Sequence, residues 1–149
     1  MKVGFDTNIL IYAEGYGDSR RIALAKQTIA GLLGRIVLPG QVLGEFYNVL
    51  ARKSGLDRFE IMRRIEVWRP IGTVVGTTPS SMLRALQLAT DHRLQIWDAV
   101  VMVAAVEAGC LMLLSEDMQD GFLWNGLTIV NPFATPAHPL LSAALAART

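Results

Sequence analysis

Four acidic residues stand where this chain can bring carboxylates together. Three of them follow or open apolar segments, and the fourth lies beside the apolar stripe of an amphipathic segment. They are Asp6, Glu45, Asp98 and Asp117. The short motifs around them contain no Lys or Arg. Packed carboxylates repel one another and are driven towards protonation unless a cation lies among them. The pattern therefore indicates a cation site.

The other possible ligands narrow the identity of that cation. The chain has two histidines, His92 and His138, and one cysteine, Cys110. These are too few nitrogen and sulfur ligands for a zinc site. Oxygen ligands alone favour Mg²⁺ or Mn²⁺, held by a few carboxylates while water completes the coordination shell.

Small polar residues accompany two of the acids. Asn8 and Ser115 could orient a carboxylate or a metal-bound water, although helix capping would explain them equally well. Asp120 is a possible fifth acid, with a role at a helix start as the alternative. We expect Glu116 to face solvent.

Each of the four acids also has a purely structural explanation. Asp6 could cap the helix that follows it, Asp98 could be a cap or a partner of the helix dipole, and Asp117 could be a turn residue. Glu45 could lie at the edge of its apolar stripe with its carboxylate in water. The functional interpretation therefore depends on whether the fold brings the four together.

The predicted elements alternate between strands and helices. The strands are expected at 2–5, 35–38, 71–75, 110–114 and 127–130, and helices begin near residues 9, 19, 41, 57, 79 and 98. No tight hairpin signal separates two strands. This alternation predicts a three-layer α/β domain, a mostly parallel sheet flanked by helices. The carboxyl ends of such strands share one edge, where Asp6 and Asp117 become neighbours if their strands are adjacent.

Length and composition indicate one domain of intracellular type. The 149 residues include 52% hydrophobic residues, with a mean hydropathy of +0.35 and a net charge of +1. The most apolar run, 99–114, is shorter than the ~20 residues that cross a bilayer, and no signal peptide is visible. A single cysteine fits a reducing compartment, so we expect a soluble cytoplasmic protein without membrane contact. Residues 1–133 form the predicted domain, and 134–149 a tail that is either a short helix or mobile.

The acidic motifs resemble those of the PIN-domain family, and most closely those of VapC-type ribonuclease toxins. The similarity covers about residues 2–133. It lies in Asp-Thr-Asn-Ile-Leu after the first strand, Glu45 in an early helix, Trp-Asp-Ala before an apolar helix, and Ser-Glu-Asp after the next strand. The resemblance implies a five-stranded sheet of order 3-2-1-4-5 and a divalent-metal-dependent endoribonuclease. It also implies metal-binding roles for the four acids, with Asn8 and Ser115 in support.

The same resemblance implies partners. Family members commonly form homodimers, and an antitoxin that covers the active-site groove silences them. The RNA substrate would be held by basic side chains outside the acidic pocket. The candidates are Arg20, Arg21, Lys26, Arg52, Lys53, Arg63 and Arg64. Any of these pairs could equally be a solvated helix face.

Several alternatives to a toxin agree with the sequence to different degrees. A housekeeping PIN-type RNA-processing nuclease would have the same residues. A non-catalytic metal-binding interaction module predicts the loss of at least one acid, and none is lost. Phosphoryl transfer through an aspartyl phosphate at Asp6 fits less well. Haloacid-dehalogenase-like phosphatases need a second Asp where this chain has Asn8, and receiver domains need a late-strand lysine that 127–132 lacks.

Overall fold

The computed structural model describes residues 1–147, in which one sheet is enclosed by helices on both faces. The strands are β1 (Lys2–Phe5), β2 (Ile36–Pro39), β3 (Thr73–Val75), β4 (Cys110–Leu114), β5 (Leu123–Trp124) and β6 (Leu127–Val130). The helices are α1 (Thr7–Ala13), α2 (Ser19–Leu32), α3 (Gly40–Lys53), α4 (Arg58–Trp68), α5 (Pro79–His92), α6 (Ile96–Glu107) and α7 (Pro139–Ala146). The α/β class predicted from the sequence is confirmed.

The sheet has the order β3-β2-β1-β4-β6-β5. The five predicted strands are all present, mutually parallel and in the expected order. The prediction of five strands without a hairpin is wrong in one respect, because β5 adds a short antiparallel edge strand beside β6. The turn between them is Asn125-Gly126, with positive φ angles of 47° and 79°. Asn-Gly is a strong local signal for this kind of hairpin turn.

The centre of the core lies between the middle strands and α6. Met112, Leu113 and Leu114 have no solvent exposure, as expected for a parallel strand covered on both faces. A Cβ atom on Gly4 would approach Leu113 Cδ1 at 3.0 Å and Ala105 Cβ at 3.3 Å, so glycine permits the close packing of α6 on β1. Within residues 1–147, no helix has the length and apolar character needed to cross a membrane.

The C-terminal helix α7 packs on α2. Leu141 and Ala144 are buried in this contact, and the Arg35 guanidinium donates a 2.9 Å hydrogen bond to the Ala144 carbonyl. The helix therefore supports the element that presents Arg20 and Arg21 towards the carboxyl edge of the sheet.

Candidate active site

Two adjacent parallel strands bring Asp6 and Ser115 together. Phe5 of β1 is paired with Leu114 of β4, so the residues that follow them leave the sheet side by side. The Ser115 hydroxyl donates a 2.7 Å hydrogen bond to Asp6 Oδ2, and the Thr7 amide donates one of 2.8 Å to Asp6 Oδ1. Asp6 is also the N-cap of α1. One conformation of Asp6 therefore both caps α1 and places its carboxylate at the ends of the two strands. The capping explanation from the sequence does not exclude a functional one.

The Asp6 carboxylate is buried, with 6% of the residue exposed. Loss of hydration raises the pKa of Asp6 to about 6, and the negative charges of Asp98 and Glu45 add to that increase. The hydrogen bonds from Ser115 and Thr7 lower the pKa and offset part of the increase. Without a cation, this carboxylate is therefore partly protonated at mildly acidic pH.

Glu45 of α3 is half-buried, and side chains hold both of its carboxylate oxygens. Thr7 Oγ1 donates to Glu45 Oε2 at 2.9 Å, and Gln41 Nε2 donates to Oε1 at 3.0 Å. The sequence interpretation missed Thr7 and Gln41. Two signals could have found them, because Thr7 stands between Asp6 and Asn8 and Gln41 precedes Glu45 by one helical turn.

Asp98 lies in the first turn of α6 but is not the cap of that helix. Gln95 is the N-cap, and its side chain accepts a 3.0 Å hydrogen bond from the Asp98 amide. Partial burial raises the pKa of Asp98, and the nearby Glu45 and Asp117 carboxylates raise it further. The capping explanation for Asp98 is therefore wrong, whereas its place in the first turn agrees with the helix-dipole explanation. Its carboxylate also lies near those of two other acids.

Asp117 is the exposed member of the set, beyond the end of β4. Asn8 Nδ2 donates a 3.1 Å hydrogen bond to Asp117 Oδ2. The Asn8 amide thus connects the start of α1 to the loop after β4. Its own Oδ1 is buried and has no hydrogen-bond partner within the part of the chain that the structure describes.

The remaining two acids of this loop point elsewhere. Asp120 Oδ1 accepts a 2.8 Å hydrogen bond from the Asn131 amide, which ties the loop to the end of β6. The expectation that Glu116 faces solvent is wrong. Its side chain is only 18% exposed and forms a 2.7 Å ion pair with Arg21 of α2. The residue between Ser115 and Asp117 is therefore an anchor for the loop.

The four predicted acids form an uncompensated negative cluster. Among residues 1–147 none of them is paired with Lys, Arg or His. No three acidic, histidine or cysteine side chains of the described chain stand close enough to form a ready-made metal cage. Hard oxygen donors that lack a counter-charge are the ligand type that suits a Mg²⁺-like cation, which keeps several of its waters. Cys110 opens β4 at the opposite edge of the sheet and offers no sulfur ligand here.

Two clefts meet at Asp117. The larger one has a volume of about 630 Å³ and runs between α1 and α3, and we call it the large cleft. It is lined by Thr7, Asn8, Ile11, Tyr12, Tyr16, Gly17, Glu45, Asn48, Val49, Arg52, Lys53 and Asp117. The smaller one, about 180 Å³, lies between the α6 start and the loop after β4 and includes Asp98. The clefts thus reach Glu45, Asp98 and Asp117 from two sides, whereas the buried Asp6 lines neither of them.

Of the seven basic residues nominated from the sequence, four are held by other groups of the chain, whereas Lys26 is exposed on α2 and forms no ion pair within residues 1–147. Arg21 is paired with Asp18 and Glu116, and Arg64 with Glu14 and Glu60. Arg20 donates to the Phe133 carbonyl and the Thr135 hydroxyl, and Arg63 pairs with Glu60. Arg52 and Lys53, in contrast, line the large cleft and form no ion pair within residues 1–147.

Known structures share this fold. The VapC20 toxin of Mycobacterium tuberculosis, described as cleaving the sarcin–ricin loop, is 18% identical with a TM-score of 0.65 over 75% of this chain and 87% of its own. A toxin–antitoxin complex from Klebsiella pneumoniae is 18% identical with a TM-score of 0.67, over 88% of this chain and 98% of its own. FitAB bound to a DNA fragment is 15% identical with a TM-score of 0.65, over 91% of this chain and 99% of its own.

No curated protein sequence matches the chain. A family profile does match it, and it agrees with the fold. The family profile described as the PIN domain matches residues 4–119, which include all four acids. This confirms the resemblance seen in the acidic motifs. The chain belongs to the PIN-domain family.

Proposed function

We propose that this protein is a divalent-metal-dependent endoribonuclease and the toxin of a toxin–antitoxin pair. The observation that supports the activity most directly is the cluster of Asp6, Glu45, Asp98 and Asp117. The charges of Asp98 and Glu45 raise the pKa of Asp6, and those of Glu45 and Asp117 raise the pKa of Asp98. None of the four has a basic partner in residues 1–147. Two of the named structural neighbours, a sarcin–ricin loop cleaving toxin and a toxin–antitoxin complex, support the biological assignment.

The four acids have different roles in this proposal. Asp6 and Asp98 are the central ligands of Mg²⁺ or Mn²⁺, and Glu45 and Asp117 complete the site. When bound, the metal supplies charge stabilisation at the phosphodiester and a water of lowered pKa. Ser115 and Thr7 keep the Asp6 carboxylate oriented, and they favour its charged form at neutral pH. Asn8 holds Asp117 in the same way.

A protein partner is also part of the proposal. Large apolar side chains remain exposed on two helices, with Phe59 of α4 81% and Leu83 of α5 67% accessible. Exposed apolar groups of this size are typical of protein–protein contacts when they are contiguous. A cognate antitoxin and a second copy of this chain are the proposed partners. Sedimentation of the isolated chain, alone and with the product of a neighbouring small gene, would test both.

Cleavage of a mixed RNA substrate by the purified, partner-free chain tests the activity. The reaction is run with Mg²⁺, with Mn²⁺ and with EDTA, beside Asp6→Asn and Asp98→Asn. Asp91→Asn is the matched control, because Asp91 is an exposed acid of α5 outside the site. We expect metal-dependent cleavage that both site variants abolish and the control retains. Cleavage that persists in EDTA, or in both site variants, would overturn the proposal.

A further inference from the structure

The charge of the side chains that line the large cleft changes along one face of α3. Glu45, Asn48 and Arg52 all line it, at helical spacings of three and four residues. Residues so spaced lie on the same helix face, and the rise per residue puts about 10 Å along the axis between Glu45 and Arg52. The face is therefore acidic at one end, neutral and polar in the middle, and basic at the other.

The basic end is available for an anion. Arg52 Nε donates a 3.4 Å hydrogen bond to the Asn48 carbonyl, which folds the side chain along α3 and leaves both terminal nitrogens without a partner in residues 1–147. Lys53 is adjacent, and it too forms no ion pair in that range. A guanidinium fork next to an ammonium suits a phosphate group.

The middle of the cleft offers two tyrosine side chains and an unused amide. Tyr12 and Tyr16 form part of the wall opposite α3. The Tyr12 ring packs edge-on against Phe133 with centroids 5.1 Å apart, so this wall is held in place from behind. The Asn48 side chain is exposed and forms no hydrogen bond within the described chain. Aromatic faces stack on unpaired bases, and amides recognise base edges.

We infer that the large cleft binds a nucleotide of single-stranded RNA that flanks the cleaved bond. Its phosphate lies at Arg52 and Lys53, and its base lies against Tyr16 within reach of Asn48. This inference rests on the proposed function, because the acidic end of the cleft is the proposed cleavage site. A volume of about 630 Å³ is within the range of pockets that enclose small organic ligands. The base must leave a duplex to enter, so single-stranded RNA is the substrate class.

The phosphate contact is tested by the salt dependence of binding. The probe is a fluorescent random-sequence single-stranded RNA, bound to Asp98→Asn protein in Mg²⁺ so that no cleavage intervenes. Adding Arg52→Gln or Lys53→Gln should lower the slope of log affinity against log salt by about one each. Arg58→Gln, an exposed arginine of α4 outside the cleft, should leave the slope unchanged. Unchanged slopes in both cleft variants, or no RNA binding at all, would overturn the inference.

The base contact is tested by sequencing the cleavage products of a random RNA pool. Asn48→Ala should weaken discrimination at one position near the cut and lower kcat/KM on the preferred sequence about tenfold. Alanine at an exposed helical position favours the helix, so the variant folds. Gln87→Ala on α5 is the matched control. A profile that Asn48→Ala leaves unchanged would overturn the base contact.

These tests separate the inference from the proposed function. If the wild-type chain cleaves with metal but all three cleft variants behave like their controls, the nuclease proposal stands and the nucleotide subsite is ruled out. If the chain never cleaves, but Arg52→Gln and Lys53→Gln each lower the salt slope of RNA binding by about one, the phosphate contact stands and the nuclease proposal falls.

Discussion

Ser115 Oγ donates a 2.7 Å hydrogen bond to Asp6 Oδ2, and through it the ends of β4 and β1 are joined at the centre of the acidic cluster. Ser115 has no solvent exposure, and the same hydroxyl accepts a 3.2 Å hydrogen bond from the Met118 amide. One buried hydroxyl therefore favours the charged form of Asp6 and holds the loop that contains Asp117.

Replacing Ser115 with alanine should affect both properties. The Ser115→Ala variant is expected to lose about 1–3 kcal/mol of stability, because a buried carboxylate and a backbone amide lose a partner. Without that donor the Asp6 pKa rises above about 6, so the acidic limb of the kcat/KM profile moves to higher pH. Urea denaturation and a pH–rate profile measure the two effects, with Ser142→Ala on the exposed face of α7 as the control. An unshifted limb would contradict the role of the hydroxyl.

The metal-free protein should become less stable as the pH rises through the titration range of Asp6. The folded pKa of about 6 exceeds the ordinary value of 3.8, so between these values the folded state binds more protons than the unfolded state. Stability therefore falls as pH increases across that window, and above it the full penalty of about 3 kcal/mol remains. Asp6→Asn should remove the penalty and be more stable than wild type in EDTA at neutral pH. Chemical denaturation at several pH values measures this, and a variant that is less stable at neutral pH would contradict it.

Divalent metal should stabilise the wild-type fold independently of any RNA. A ligand that binds only the folded state raises its stability by mass action, and here it also relieves the repulsion among the acids. The midpoint of thermal unfolding should rise with added Mg²⁺ or Mn²⁺ in wild type and in Asp91→Asn. It should not rise in Asp6→Asn or Asp98→Asn. Equal shifts in all four proteins would indicate non-specific binding and contradict the metal site.

Thr7→Val should weaken metal binding without altering the packing of α1. Thr7 is buried, and valine has nearly its shape, but the 2.9 Å hydrogen bond from Oγ1 to Glu45 Oε2 is lost. Loss of a group that orients a metal ligand lowers metal affinity by about tenfold or more. Calorimetric titration with Mn²⁺ measures the change. Thr7→Ser keeps the hydroxyl and should restore the affinity, whereas equal losses in both variants would point to packing instead.

Arg21→Met should loosen the loop that contains Asp117. Arg21 is the ion-pair partner of Glu116 at 2.7 Å, and its removal leaves a largely buried carboxylate uncompensated. We expect lower thermal stability and lower cleavage activity in the single variant. Adding Glu116→Gln removes the stranded charge and should restore part of the stability. A double variant no more stable than Arg21→Met would show that the pair does not hold the loop.

The local patterns of the sequence were sufficient for the elements and for the positions of the acids. Apolar runs and helical periodicity are short-range signals, and they located the five parallel strands and the ends where Asp6 and Asp117 emerge. The one strand that was missed, β5, also has a local signal, because the Asn125-Gly126 turn provides the positive φ angles that a tight hairpin needs. Its two residues were too short a run to be recognised as a strand.

A local pattern could offer a nearby partner such as Gln41 for Glu45, but only the tertiary structure decided which distant side chains hold the acids. The partners of Glu45, Asp117 and Glu116 are Thr7, Asn8 and Arg21, which are 38, 109 and 95 residues away in the sequence. Such pairs depend on strand order, helix rotation and side-chain direction together, and no local pattern determines all three. The same holds for burial, since the sequence placed Asp6 at a strand end but only the packing around it raises its pKa. The sequence by itself therefore located the acids and predicted their chemistry, and the packing of distant elements determined their geometry.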